Sequence, residues 1–213
     1  MVGAMVRTAA IVAALYGARR YYRNWGTTKD EYRSTLPGDE LVGRLSVQST
    51  EGVWIEAPAE ATWPWLAQIG QERAGLYLPD RLQQVLGLGP HHADRILDDA
   101  QQLVVGDTVR LAAVGWLGCR RGIVLTVAHV IAGQAIVLTA APPTFPWQAV
   151  WSLHVVPRGK DRCRVLVRTR ARLRYPGQAA LIELAGPLIS LLTRAMLVGI
   201  RRRVQAASVL DTP

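Results

Sequence analysis

"CRVLVRTRARLRYPGQAALIELAGPLISLLTRAMLVGI", residues 163–200, changes its hydrophobic period partway along. In the first part Arg164, Arg168, Arg170 and Arg172 hold even positions, interrupted by Leu166. They continue a series from Arg158, Lys160 and Arg162 and run on to Arg174, while Val165, Val167, Thr169, Ala171 and Leu173 hold the odd positions. Side chains alternate across a strand, so this segment is a strand with one basic and one apolar face. Beyond Pro176 the polar residues Glu183, Ser190, Arg194 and Arg201 recur at spacings of seven, four and seven, which is one helical face. A narrow polar stripe on a broad apolar helix predicts a long helix over about 179–206 that packs on a partner surface. The segment is apolar enough to suggest a membrane span, but charges inside a span are costly, and the packed helix is the reading adopted. Pro187 either kinks this helix or marks its first turn.

Working outward, "WQAVWSLHVV" (147–156) precedes that strand across a Pro157–Asp161 turn, with Trp147, Ala149, Trp151, Leu153 and Val155 on one face. "GIVLTVAHVI" (122–131) and "QAIVLTA" (134–140) flank Ala132-Gly133 as a second hairpin. Upstream, "GVWIEAP" (52–58) is a short strand, followed by helices at about 60–69, with Pro64 in the first turn, and 78–87, ended by Gly87. A strand follows at about 107–112. The order is strand, two short helices, antiparallel strands and a long closing helix. It predicts an α+β domain over 45–207 whose curved sheet wraps the helix, with a short tail at 208–213.

The chain has 213 residues, half of them hydrophobic, which provides a sizeable core and excludes a disordered composition. Its formal charge of +9 comes from 25 Lys+Arg against 16 acids. The basic strand face is read first as a solvated outer face that discourages edge pairing. An anionic membrane surface is second, and nucleic acid comes last because no aromatics interleave the cations before Tyr175. Cys119 and Cys163 form neither a framework nor a metal site, and they point to a reducing compartment, a single disulfide being the alternative.

"TAAIVAALYGA" (8–18) is an apolar run of 11, followed by Arg19, Arg20 and Arg23 with Tyr21, Tyr22 and Trp25. It falls short of the roughly 20 residues a spanning helix needs. Three readings of residues 1–25 stay open: a membrane-contacting helix on a positive inner face, a helix packed on the domain, and a signal peptide. Residues 26–44, polar with a Pro-Gly turn, read as a linker. The expected location is cytoplasmic, with attachment to the inner membrane face through the N-terminal helix as a further possibility.

"LPGDELV" (36–42), "IEAPAEATWPWLAQIGQERAGLY" (55–77), "HHADRILDDAQQLVVGDTVRL" (91–111) and "LTRAMLVGIRRR" (192–203) resemble the START-like, or Bet v 1-like (SRPBCC), helix-grip superfamily. The local motifs are similar to an actinobacterial branch related to polyketide cyclase/dehydrase and lipid-transport proteins. The resemblance implies a seven-stranded antiparallel sheet gripping the C-terminal helix around a hydrophobic cavity. The further strands are expected in 43–56 and 113–121. Members of the superfamily bind sterols, phospholipids, plant hormones or polyketides, and a minority catalyse. No catalytic motif of the branch transfers residue by residue.

On this basis the chain is expected to bind an apolar small molecule or lipid without catalysis. Trp147, Trp151, Val165, Val167, Leu192 and Met196 would line the pocket, with Trp63 and Tyr77 at the end closed by the two short helices. Trp63 and Trp65 project about 200° apart on a helix, so only one of them faces any one pocket. His129 shares its parity with Ile123, Leu125, Val127 and Ile131 and is expected to point inward as the pocket's polar group, whereas His154 is expected at solvent. His91 and His92 lie beside Asp94 in a loop, where His91 either caps the loop or shapes the cavity mouth. The alternative is a polyketide cyclase- or dehydratase-like enzyme acting on an aromatic or polyketide substrate through His129, Tyr77 or Glu56. A third class is an interaction protein whose cavity is filled by its own side chains. Neither metal-ligand spacing nor a nucleophile elbow nor a phosphate loop occurs, and no cofactor is expected.

Overall fold

The computed structural model describes residues 17, 19, 21–43, 46–88, 93–116, 120–141, 148–173 and 176–210. After the short helix α1 (Lys29–Arg33) come strand β1 (Ser46–Ile55) and helices α2 (Ala59–Ala67) and α3 (Asp80–Leu86). Strands β2 (Thr108–Ala112), β3 (Ile123–Ile131), β4 (Ala135–Ala140), β5 (Ala149–Pro157) and β6 (Cys163–Arg172) follow, and α4 (Pro176–Leu210) closes the chain. The strands form one antiparallel sheet in the order β1-β6-β5-β4-β3-β2. This is the α+β helix-grip architecture expected, with six strands among the described residues. The strand expected at 52–58 is β1, which begins at Ser46 and takes up most of 43–56, so the described part of that segment supplies no further strand. The described part of 113–121 forms turns. Helix α2 begins at Ala59, so Pro64 is its sixth residue, not part of the first turn as expected, and cannot donate to Glu60.

The inner face of the sheet and the C-terminal half of α4 make the core. Val53 and Ile55, Ile136 and Leu138, Leu153 and Val155, and Val165 and Val167 pack with Met196, Leu197, Ile200 and Val204, all nearly inaccessible. Each such side chain contributes about 1.5–3 kcal/mol by leaving water. The helix comes close because residue 199 is glycine: a Cβ there would stand 1.9 Å from the carbonyl oxygen of Tyr77. Tyr77 adopts φ 56°, and its buried ring stacks edge-on against Trp65 at 5.9 Å.

The outer face is not the solvated surface expected, and residues 26–44 do not behave as a linker. The segment 24–42 lies across β1, β6 and β5. The Gly52 N–H donates to the Trp25 carbonyl at 3.1 Å, and the Gln48 amide donates to the Tyr32 carbonyl at 2.8 Å. Arg164 and Arg168, each 1% exposed, are enclosed by this strap. Arg164 pairs with Glu31 at 2.7 Å, and Arg168 pairs with Asp39 at 2.6 Å while donating to the Ser34 and Glu31 carbonyls at 2.7 Å. Such guanidinium groups are tolerable in the interior because each is paired with a carboxylate and donates further hydrogen bonds to strap carbonyls. Burial works to raise the Glu31 carboxyl, but hydrogen bonds from Arg164 and the Thr28 backbone hold it below the usual range. At the end of the strap Val42 joins Val137 and Val150 in a second apolar cluster, reached because Gly38 (φ 97°) has no Cβ to strike Val137. Arg158, Lys160, Arg162 and Arg172 remain exposed, and Arg174 lies outside the described residues.

His154 is buried under the same strap, 3% exposed, where solvent was expected. Burial, then the positive charge of Arg168, pushes its imidazole down to about 4, and its Nε2 lies 2.9 Å from Ser152 Oγ. Cys163 is a buried free thiol 3.2 Å from Thr62 Oγ1, and Cys119 lies outside the described residues.

Residue 19 and residues 21–25 pack on the domain. Glu183 on α4 accepts from Arg19 Nε at 3.0 Å, Tyr22 OH at 2.9 Å and Arg23 at 2.5 Å, and Ser190 Oγ donates to the Tyr22 carbonyl at 2.7 Å. The apolar run before them lies almost wholly outside the described residues. Residues 182–208 of α4 are long and apolar enough to cross a membrane by length and composition alone, and the sheet grips the C-terminal half of that stretch.

Candidate functional site

Sheet register sorts the inner face into rows. Toward one end, β1 Glu51, β6 Val167 and β5 Leu153 stand side by side, and all three are buried. The next row outward is Ser49, Thr169 and Trp151, paired as Ser49 with Thr169 and Trp151 with Thr169. All three are only half-buried. Beyond them come Val47, Ala171 and Ala149, where small residues leave room. The inner face is thus sealed along most of its length and opens at this end. There the N-terminal half of α4 carries the exposed Leu188, Ile189 and Leu191 beside the half-buried Leu192. This end of the inner face thus carries one aromatic ring and two hydroxyls that are half-buried, and the N-terminal half of α4 carries exposed aliphatic side chains. Partly exposed apolar surface with few polar groups suits a small hydrophobic ligand.

Glu51 forms the polar floor of this end. Its side chain is 3% exposed, with Arg194 Nε 3.7 Å away and without a hydrogen bond to it. Burial pushes the carboxyl up to about 8 against the lowering influence of Ser190 and Arg194, so Glu51 is protonated at neutral pH. Arg194 is held by the aromatic rings of Tyr21 and Trp25, at 4.8 and 5.2 Å from their centroids. A protonated carboxyl in a partly desolvated site can donate a hydrogen bond or a proton. The residue alternation of β1 places Glu51 with Val53 and Ile55. A strand taken to begin at residue 52 leaves it out.

The expected site residues separate into four groups. Trp151 and Leu192 lie at the open end. Val165, Val167 and Met196 are 0%, 2% and 4% exposed and belong to the sealed core behind it. Trp63 and Tyr77 lie at the end with the short helices. Trp63 is half-buried against the core, Trp65 is the tryptophan that turns inward, and the Tyr77 hydroxyl is satisfied by the Trp65 carbonyl at 2.9 Å. Burial raises the Tyr77 hydroxyl far above its ordinary range. His129 is on the wrong face for its expected role. A β-bulge between Val127 and His129 shifts the register against β4, so Val130 packs in the core. His129 instead lies exposed on the outer side, 3.5 Å from Glu40. Trp147, His91 and His92 lie outside the described residues. Among the described residues no group of three or more His, Cys, Asp or Glu could hold a metal.

No family model matches the chain, and no curated protein matches it in sequence. Among solved structures the chain is similar to norcoclaurine synthase from Thalictrum flavum, a point mutant bound to a transition-state analogue. There it has 18% identity, covering 78% of this chain and 99% of that one, with a TM-score of 0.49. It is also similar to a Staphylococcus aureus protein of unknown function, with 10% identity, 76% and 96% coverage and a TM-score of 0.47. The di-domain aromatase/cyclase BexL of the BE-7585A biosynthetic pathway shows 11% identity and a TM-score of 0.42, with 78% of this chain and 48% of BexL covered. The element order, the six-stranded antiparallel sheet and the closing helix packed on it are those of an α+β helix-grip fold.

Proposed function

We propose that the chain binds an apolar small molecule or lipid at the open end of the sheet–helix space, against Trp151 and Leu192. One observation carries this reading: the adjacent Ser49, Thr169 and Trp151 stay half-buried next to the sealed row of Glu51, Val167 and Leu153, and the N-terminal half of α4 exposes Leu188 and Leu191. Apolar ligand surface buried there contributes about 25 cal/mol per Å² before ordering costs. Thr169→Trp fills the row from its centre and is the direct test. Titrated with the neutral apolar fluorophore 1-aminoanthracene, the variant is expected to bind about tenfold more weakly or worse while melting as the parent does. Equal binding by parent and variant would place the ligand elsewhere.

A second reading rests on Glu51 alone. A carboxyl that keeps its proton near neutrality beside the binding row suits general acid chemistry on a bound aromatic or polyketide substrate. On that reading Glu51→Gln abolishes turnover and leaves 1-aminoanthracene binding unchanged.

A further inference from the structure

A concavity lies along the free edge of β1, lined by residues of both its faces, Val47 on the inner and Gln48 on the outer. Helical residues up to 23, α1 and the start of β1 enclose about 830 Å³ between them. Among the described residues five cations line it (Arg19, Arg23, Lys29, Arg33 and Arg170), together with Tyr32, and no carboxylate does. Two carboxylates partly neutralise this set: Glu183 pairs with Arg19 and Arg23, and Asp39 lies 3.5 Å from Arg170. Among the described residues no carboxylate pairs with Lys29 or Arg33, which are exposed and stand one turn apart on α1. Like charges at that spacing repel on a helix by a few tenths of a kcal/mol. A multivalent anion lodged between them removes that repulsion. Planar guanidinium groups beside an ammonium are the donor set that phosphate oxygens accept best.

We propose that this cleft binds a phosphate-bearing anion, either the headgroup of an anionic lipid or a soluble phosphate ester. Its cations come from three separate elements. Two of these, α1 and the helical residues Arg19 and Arg23, are parts of the strap and anchor that the buried arginines and Glu183 hold in place. The site is therefore organised by the fold, unlike a diffuse basic surface. With a lipid as the source, the cleft would seat the chain on a membrane surface.

The test uses the full chain, its Lys29→Glu/Arg33→Glu variant, and an Arg158→Glu/Lys160→Glu control that makes the same charge change at the exposed β5–β6 turn. Each is sedimented with vesicles of phosphatidylcholine alone or doped with phosphatidylglycerol, and each is titrated with inorganic pyrophosphate. A preference for phosphatidylglycerol that falls about tenfold in the α1 variant and persists in the control identifies a lipid headgroup. Pyrophosphate binding lost only in the α1 variant, without any lipid preference, identifies a soluble phosphate ester. Equal losses in variant and control, or neither preference nor binding in the parent, overturn the proposal.

Discussion

Glu51 and His154 are buried on opposite faces of the sheet, and they tilt stability with pH in opposite directions. The folded chain keeps the Glu51 proton up to about 8, whereas an ordinary glutamate releases it near 4.5. Its contribution is complete below the lower value and is lost as pH rises through the upper one. His154 stays neutral down to about 4 where an ordinary histidine takes up a proton near 6.5, so its contribution is present above 6.5 and is lost as pH falls toward 4. Glu51→Gln should therefore flatten the alkaline limb of the melting profile between about pH 5 and about pH 9 and leave the acid limb intact. An unchanged alkaline limb would mean that Glu51 ionises freely. Alternation along β1 makes the facing of Glu51 legible in the sequence, but its burial depends on α4 and the residues around Tyr22. Alternation misplaces His129, because a bulge is defined by the partner strand and leaves no mark in the bulged one.

At the scale of elements, β6 is the strand whose faces the sequence states most clearly and whose environment it states least. The odd positions are apolar and face α4, as the alternation requires. The even positions read as solvated because their partners, Glu31 and Asp39, lie more than a hundred residues upstream in a polar stretch without apolar periodicity. That stretch is anchored by charge and backbone carbonyls far more than by hydrophobic burial, so its docking is invisible to hydrophobic patterning. Arg168→Met should cost about 3–5 kcal/mol in urea unfolding, since it removes the partner of Asp39 and orphans several carbonyls. Arg172→Met, at an exposed position of the same strand, should stay within about 0.5 kcal/mol. Similar costs for the two would mean that the strap is not fixed by Arg168.

At the scale of the whole molecule, the sheet grips only the C-terminal half of the 35-residue α4. The other half extends past the open end of the inner face, where Trp151, Thr169 and Ser49 lie. The order of elements, the two hairpins and the closing helix were legible because each carries its own period and turn signals. The location of the opening was not, because it follows from which rows of the sheet the helix leaves uncovered. The central claim, a ligand at that opening, is tested most directly by native mass spectrometry of the chain purified from its own host. An apolar small molecule or lipid should travel with the parent chain and be missing from Thr169→Trp. A parent chain that carries nothing and takes up nothing from host extract after delipidation would contradict the account.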